Sequence, residues 1–201
     1  MNNDGVNQGR RRFLTGATCV VGAVGVVGAA VPFVGSWSPS AKAKAAGAPV
    51  KANISKLEPG QMITVEWRGK PVYILRRTEE ALAGLEKTAA LTRDPNSENS
   101  VQPGYVDPAN RAIKAELLVL VGLCTHLGCA PMFRPEVGID PANGAPNDEW
   151  VGGFFCPCHG SKFDLAGRVY QGVPAPTNLE VPPYTYESDG VIVIGVDEEA
   201  A

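Results

Sequence analysis

The chain has two histidines, His126 and His159, and both lie inside short cysteine motifs: Cys124-Thr-His126-Leu-Gly-Cys129 and Cys156-Pro-Cys158-His159-Gly-Ser161. Four of the five cysteines fall in the same two motifs, which are separated by residues 130–155. Whatever fold the chain adopts must bring these two loops to one point. Soft and borderline ligands concentrated in this way point to a metal centre, not to acid–base or nucleophilic catalysis.

Taking Cys124, His126, Cys156 and His159, the two boxes offer two thiolates and two imidazoles. Two metals suit that set. A structural zinc accepts mixed Cys and His ligands tetrahedrally. A two-iron cluster in which imidazoles replace thiolates on one iron accepts the same four. Cys129 and Cys158, one in each box, exceed a four-ligand site, and ordinary zinc ribbons lack such a pair.

Both boxes resemble, without a mismatch, the C-T-H-L-G-C and C-P-C-H-G-S boxes of the Rieske iron-sulfur proteins. The resemblance implies one [2Fe-2S] cluster, with Cys124 and Cys156 on one iron, His126 and His159 on the other, and a disulfide between Cys129 and Cys158. Ser161 matches the family serine whose hydroxyl points at a bridging sulfide. Position 163, often a tyrosine in the family, is Phe163 here; losing that donor lowers the expected potential, and the residue also reads as a core aromatic. Gly172-Val-Pro174-Ala-Pro176 resembles the family's proline-rich third loop, in which fixed φ angles stiffen the chain.

The amino terminus locates the site. Arg10-Arg11-Arg12-Phe13-Leu14 leads into a stretch free of charge from Phe13 to Ala41. About 20 apolar residues suffice to cross a bilayer as a helix. The arginine pair followed by Phe-Leu resembles a twin-arginine export signal. Ala41-Lys-Ala43 and Ala43-Lys-Ala45 offer small-residue cleavage sites, but the apolar run exceeds the 7–15 residues typical of a cleaved signal. It therefore reads as an uncleaved anchor over 13–37, ending at the interfacial Trp37. Residues 1–12 are then cytoplasmic by the positive-inside rule, and the rest lies in a bacterial periplasm. That oxidising compartment permits the disulfide. Cys19, in the apolar run, reads as a small buried hydrophobe with no part in the site.

Residues 38–52 are Ser, Ala, Lys, Gly and Pro without apolar periodicity and read as a flexible hinge. Residues 53–201 are enough for one domain. Met62–Trp67 and Pro71–Leu75 flank Arg68-Gly-Lys70 and predict a β-hairpin. A short helix is expected over Thr78–Leu85 and a surface loop over Asp94–Asn110. Strands are expected over Leu117–Leu123, Trp150–Phe155 and Val191–Ile194, with a surface insertion over Phe133–Asp148. The acidic stretch Asp197–Glu199 reads as a solvated end. The fold class is mainly β: an antiparallel domain with an inserted cluster-binding subdomain, about 121–178, behind one transmembrane helix. A net charge of −3 gives no reason to expect nucleic acid.

Within the family, the resemblance is strongest to the iron-sulfur subunits of bacterial cytochrome bc complexes. It implies a dimeric complex in the inner membrane, with cytochrome b and cytochrome c1 as partners and quinol at the interface. Quinol would give one electron to the cluster and release protons outside, with no turnover by the isolated chain. His159 would accept the quinol's hydrogen bond, and Leu127 would touch cytochrome b, although simple loop packing explains Leu127 equally well. The alternatives are the Rieske small subunit of an arsenite oxidase and a structural zinc module on a membrane anchor.

Overall fold

The computed structural model describes residues 5–197, so the glutamates of the expected acidic end lie outside the described residues. It divides into two units, Met1–Ala45 and Ala46–Ala201, each taken by itself below.

The first unit is dominated by α1, Gln8–Ser36. Asn7 caps it by accepting a hydrogen bond from the Arg10 N–H at 3.1 Å. At 1.5 Å per residue its 29 residues span about 44 Å, more than the roughly 30 Å of a hydrocarbon core. None of its residues is buried by the rest of the chain, so Val20, Val24, Val27, Val31 and Phe33 all face outward. Such a helix is long and apolar enough to cross a membrane. Residues 38–52 are not wholly irregular. Ala41–Ala46 forms α2, since Ala and Lys are good helix formers and the Ser40 hydroxyl accepts the Ala43 N–H at 3.1 Å. Val50–Asn53 is already strand β1, where Ala52 is buried opposite Ile192.

The second unit holds three antiparallel sheets of three strands each. In the first, β2 (Met62–Trp67), β3 (Lys70–Arg76) and β4 (Leu117–Val121) pair in sequence order. The expected hairpin is present, and its two turn residues Arg68 and Gly69 both have positive φ, 52° and 71°, the conformation that matches strand twist in a tight hairpin. Val72–Leu75 and all of β4 are buried, which explains their unbroken apolar sequences. In the second sheet, β9 (Val191–Ile194) lies between β1 and β8 (Tyr184–Ser188) and alternates half-buried and buried positions, the period of a strand with one face inward. The third comprises β5 (Met132–Arg134), β6 (Gly153–Phe155) and β7 (Lys162–Asp164). It is inserted in sequence between β4 and β8 and carries the second cysteine box.

Helix α3, Glu79–Ala89, runs one turn beyond expectation, with Thr78 as its cap. A buried polar network pins it. The Asp164 carboxylate accepts from the Thr88 hydroxyl, the Arg168 guanidinium and the N–H groups of Ala166 and Arg168, all within 2.9 Å. Burial lowers Arg77 and Arg111 to about 10, so both remain charged at neutral pH. The Asp164 carboxylate thus lies among buried guanidinium groups; Arg77 donates from Nε and Nη1 to carbonyls at 115, 110 and 165 and Arg111 from Nη1 to those at 166 and 167, while the Nη2 of each is buried without a partner among the described residues.

Three expectations need correction. The strand read over Trp150–Phe155 begins at Gly153, because Trp150 spends its backbone on Asn147 and Gly138 in the preceding turns. The strand read to Leu123 ends at Val121. There the Tyr73 ring lies over Gly122, where a Cβ would come within 2.4 Å of it. The segment Asp94–Asn110, read as a surface loop, is partly inside: Asp94, Ser97 and Val106 are buried. The Asp94 carboxylate accepts the N–H groups of Glu98 and Asn99 and the Ser100 hydroxyl, which lets a polar segment fold inward.

Candidate metal centre

The two boxes fold into loops with the same backbone. In the first, the Cys124 N–H donates to the Cys129 carbonyl and the Gly128 N–H donates back to the Cys124 carbonyl, both at 2.8 Å. In the second, Cys156 N–H donates to Ser161 at 2.8 Å and Gly160 N–H to Cys156 at 2.9 Å. Each turn closes through a glycine in the left-handed region, Gly128 at φ 81° and Gly160 at φ 77°. A Cβ at either would meet nothing within 4 Å, so backbone conformation, not crowding, calls for glycine. The shared glycine in fifth place was visible in both boxes and is the signal of this common turn.

β4 leads into the first loop and β6 into the second, which places Cys124 and Cys156 at the inner ends of the loops, each 2 % exposed. The next turn positions carry the remaining donors outward. His126 is half-buried and His159 exposed, and their rings stand nearly perpendicular, 4.8 Å between centroids. Cys129 and Cys158 are joined by a disulfide that ties the loops together, with Cα atoms 6.7 Å apart. The sulfurs of Cys129, Cys156 and Cys158 lie within 4.8 Å of one another. Since two of them are spent on the disulfide, only Cys156 of that group remains a thiol.

The donor set fits a bound metal group. Burial pushes the Cys124 thiol up, and neighbouring Cys156 pushes it further, while the His126 backbone and the Ser161 hydroxyl pull it down. A buried thiol whose ionisation is opposed by its surroundings is relieved by a cation beside it, which deprotonates a coordinating thiol outright. His126 Nδ1 is buried without a hydrogen-bond partner, an arrangement that costs free energy unless something coordinates it. Ser161 is fully buried, and its Oγ accepts from the Ala175 N–H at 3.1 Å, leaving its own proton for another acceptor. Phe163 is fully buried in β7 opposite Phe154, a core aromatic as read from sequence. Leu127 is 72 % exposed at the loop tip. Cys19 is exposed on α1 and belongs to a different unit.

Sequence reading missed the supports of these loops. The Thr125 hydroxyl donates to the Thr177 carbonyl at 2.7 Å, linking the first loop to the proline loop. The Tyr73 hydroxyl donates to the Pro131 carbonyl at 2.9 Å, holding the chain just after Cys129. Nothing in the local pattern of either residue marks it, because its partner is distant in sequence.

Two family models match the chain. Residues 1–40 match "Ubiquitinol-cytochrome C reductase Fe-S subunit TAT signal" and residues 48–184 match "Rieske [2Fe-2S] domain". The chain is 54% identical over its full length to the ubiquinol-cytochrome c reductase iron-sulfur subunit of Allochromatium vinosum, covering 95% of that protein. It is 42% identical to the subunit of the same name from Blastochloris viridis, over 96% of this chain and 97% of that one. A solved chain described as hyperthermophilic respiratory Complex III aligns over 90% of this chain and 99% of its own, at 26% identity and a TM-score of 0.46. The Rieske domain match over residues 48–184 and the identity to named iron-sulfur subunits along nearly the whole chain make it a member of the Rieske [2Fe-2S] protein family.

Proposed function

We propose that this chain is the iron-sulfur subunit of a ubiquinol to cytochrome c reductase, working as part of a respiratory complex. The observation that carries the reading is the pair of matched loops. They enclose two thiols and present two imidazoles, one half-buried and one exposed, within a chain alike to named iron-sulfur subunits along its whole length.

In this reading Cys124 and Cys156 hold one iron and His126 and His159 the other. The [2Fe-2S] cluster supplies a one-electron acceptor whose potential is raised by imidazole ligation. The chain's own residues do the rest. Burial of Cys124 and Cys156 and the covering proline loop exclude water. The Ser161 hydroxyl donates toward the sulfurs, a contact of the kind that tunes a metal group. His159, exposed as Leu127 also is, would accept the hydrogen bond of a quinol hydroxyl at the ring nitrogen left free by the metal and take the proton as the electron leaves. The proton would then be shed to the outside, the cluster's one electron would pass to cytochrome c1, and the quinol's second electron would go to cytochrome b.

Cytochrome b is the partner for the loop tip, where the exposed Leu127 offers an apolar contact, and the complex is dimeric. The anchor crosses the inner membrane once, with Arg10–Arg12 in the cytoplasm and the domain in the periplasm, the orientation favoured by the positive-inside rule. Residues 38–52 tether the domain to the anchor.

His159→Ala in the assembled complex tests the reading. The expected result is loss of the low-temperature EPR signal of the reduced cluster together with quinol-dependent cytochrome c reduction. An intact signal and full turnover would sink the ligand assignment. One zinc and no iron in the wild-type protein would replace the electron-transfer reading by a structural one.

A further inference from the structure

We propose that Arg93 is a positioning residue of the metal centre: its guanidinium clamps the proline loop so that the Ala175 N–H stays on the Ser161 hydroxyl. The proposal rests on the ligand reading above.

Arg93 follows α3 in sequence, outside both boxes and the proline loop. Its Nη1 donates to the carbonyls of Ala175 and Pro176 at 3.0 and 3.4 Å, and its Nη2 donates to Val173 at 3.0 Å. Its own N–H is fixed on the Val169 carbonyl at 2.8 Å, and the adjacent Gln171 donates from its backbone to Leu91 and from its side chain to Ala90 and Thr92. The clamp therefore starts from an anchored backbone. The loop it holds has little else. Pro174 and Pro176 lack N–H groups; within 172–176 the side chains that hold the backbone are Arg93 and Ser161, and just past it the Thr177 carbonyl accepts from Thr125.

The loop's single donor to the site is the Ala175 N–H, received by Ser161 Oγ at 3.1 Å. A hydroxyl that accepts such a bond is polarised and becomes a stronger donor through its own proton. Held in place, Ala175 strengthens the donation of Ser161 toward the cluster sulfurs, which stabilises the added negative charge of the reduced state. Released, the loop weakens it, and the potential falls. A planar fork suits carbonyls two residues apart, whereas a lysine offers one point charge. Arg93 is exposed, so water screens its charge and its effect is exerted through geometry.

The test uses the full chain in its complex, with Arg93→Ala and Arg93→Lys compared with wild type. Hydrogen exchange of the peptide covering 171–178 and an EPR-monitored redox titration are read together, with exchange in the β3–β4 peptides as a control for folding. Arg93→Ala should raise exchange at Ala175 on the order of tenfold, as loss of charge-assisted bonds opens the loop locally, and lower the potential. Arg93→Lys should recover little of either. Three results would overturn the proposal: unchanged exchange in Arg93→Ala; faster exchange with an unchanged potential, which makes Arg93 merely structural; or full recovery by Arg93→Lys, which makes charge the cause. Absence of any cluster signal in wild type would fail the ligand reading instead, while the exchange measurement still decides whether Arg93 holds the loop.

Discussion

The two cysteine loops are one backbone used twice with different side chains. Both open on a buried cysteine, close through a left-handed glycine and return a hydrogen bond to their first residue. They differ in what fills the turn. Position three is His126 in the first loop and Cys158 in the second; position six is Cys129 in the first and Ser161 in the second. The repeated turn sets the depth of the two sulfurs. The substitutions set everything that is asymmetric: one imidazole half-buried and the other exposed, a disulfide running from the end of one loop to the middle of the other, and a hydroxyl on one side only.

Replacing the feature the loops share has the largest expected effect. Cys124→Ser and Cys156→Ser should each remove the cluster entirely, seen as loss of iron, because each takes away a buried ligand that no neighbour can replace. A retained two-iron centre in one variant would show the loops to be unequal at their deepest point. Next comes the bond between them. Cys129→Ser frees a loop closed over a separation of 29 residues, and the chain-entropy cost of such a closure is about 3–4 kcal/mol. Denaturant unfolding of the oxidised domain should lose about that much, and a loss below about 1 kcal/mol would mean the loops hold together without it.

The turn glycines give a smaller and sharper comparison. Gly128→Ala and Gly160→Ala should each cost about 1–2 kcal/mol, the penalty for a side chain in the left-handed region, and the two costs should match, because both surroundings are open. Unequal costs in thermal unfolding would deny the shared turn. Smallest is a support found beside the second loop only. Lys162, which follows Ser161, pairs with Asp140 at 2.5 Å, their side chains 25% and 16% exposed. The Lys162 ammonium, and then the Ala142 N–H, hold the Asp140 carboxyl below its ordinary 3.8. A depressed folded value means this contribution is fully present above pH 3.8 and is lost as pH falls through the lower folded value. Asp140→Asn should therefore cost less than about 1 kcal/mol at neutral pH and nothing once the carboxyl is protonated in both states, as read from stability against pH.

How legible each part was in the sequence depends on how far apart its partners lie. The hairpin at Arg68–Gly69, the cap at Thr78 and the start of the apolar β4 are local signals, and the structure has each where the residues placed it. Strands β1, β5, β7 and β8 escaped notice because they are short and their apolar residues are set by distant partners, as Ala52 is by Ile192. The inward path of 94–106 was read as solvent-exposed from its polarity, yet Asp94 and Ser97 are buried through bonds to Asn178. Arg93 and Thr125 carry no local mark for the same reason: each acts on the proline loop some 50 or more residues away.

The central claim is that His126 and His159 share one iron. The chain contains two histidines and no more, so labelling histidine alone with nitrogen-15 makes the assignment unambiguous in electron-nuclear double resonance of the reduced protein. The account predicts two strongly coupled, inequivalent histidine nitrogens on a single paramagnetic two-iron centre, in keeping with one enclosed and one exposed ring. One coupled nitrogen, or none, would contradict it.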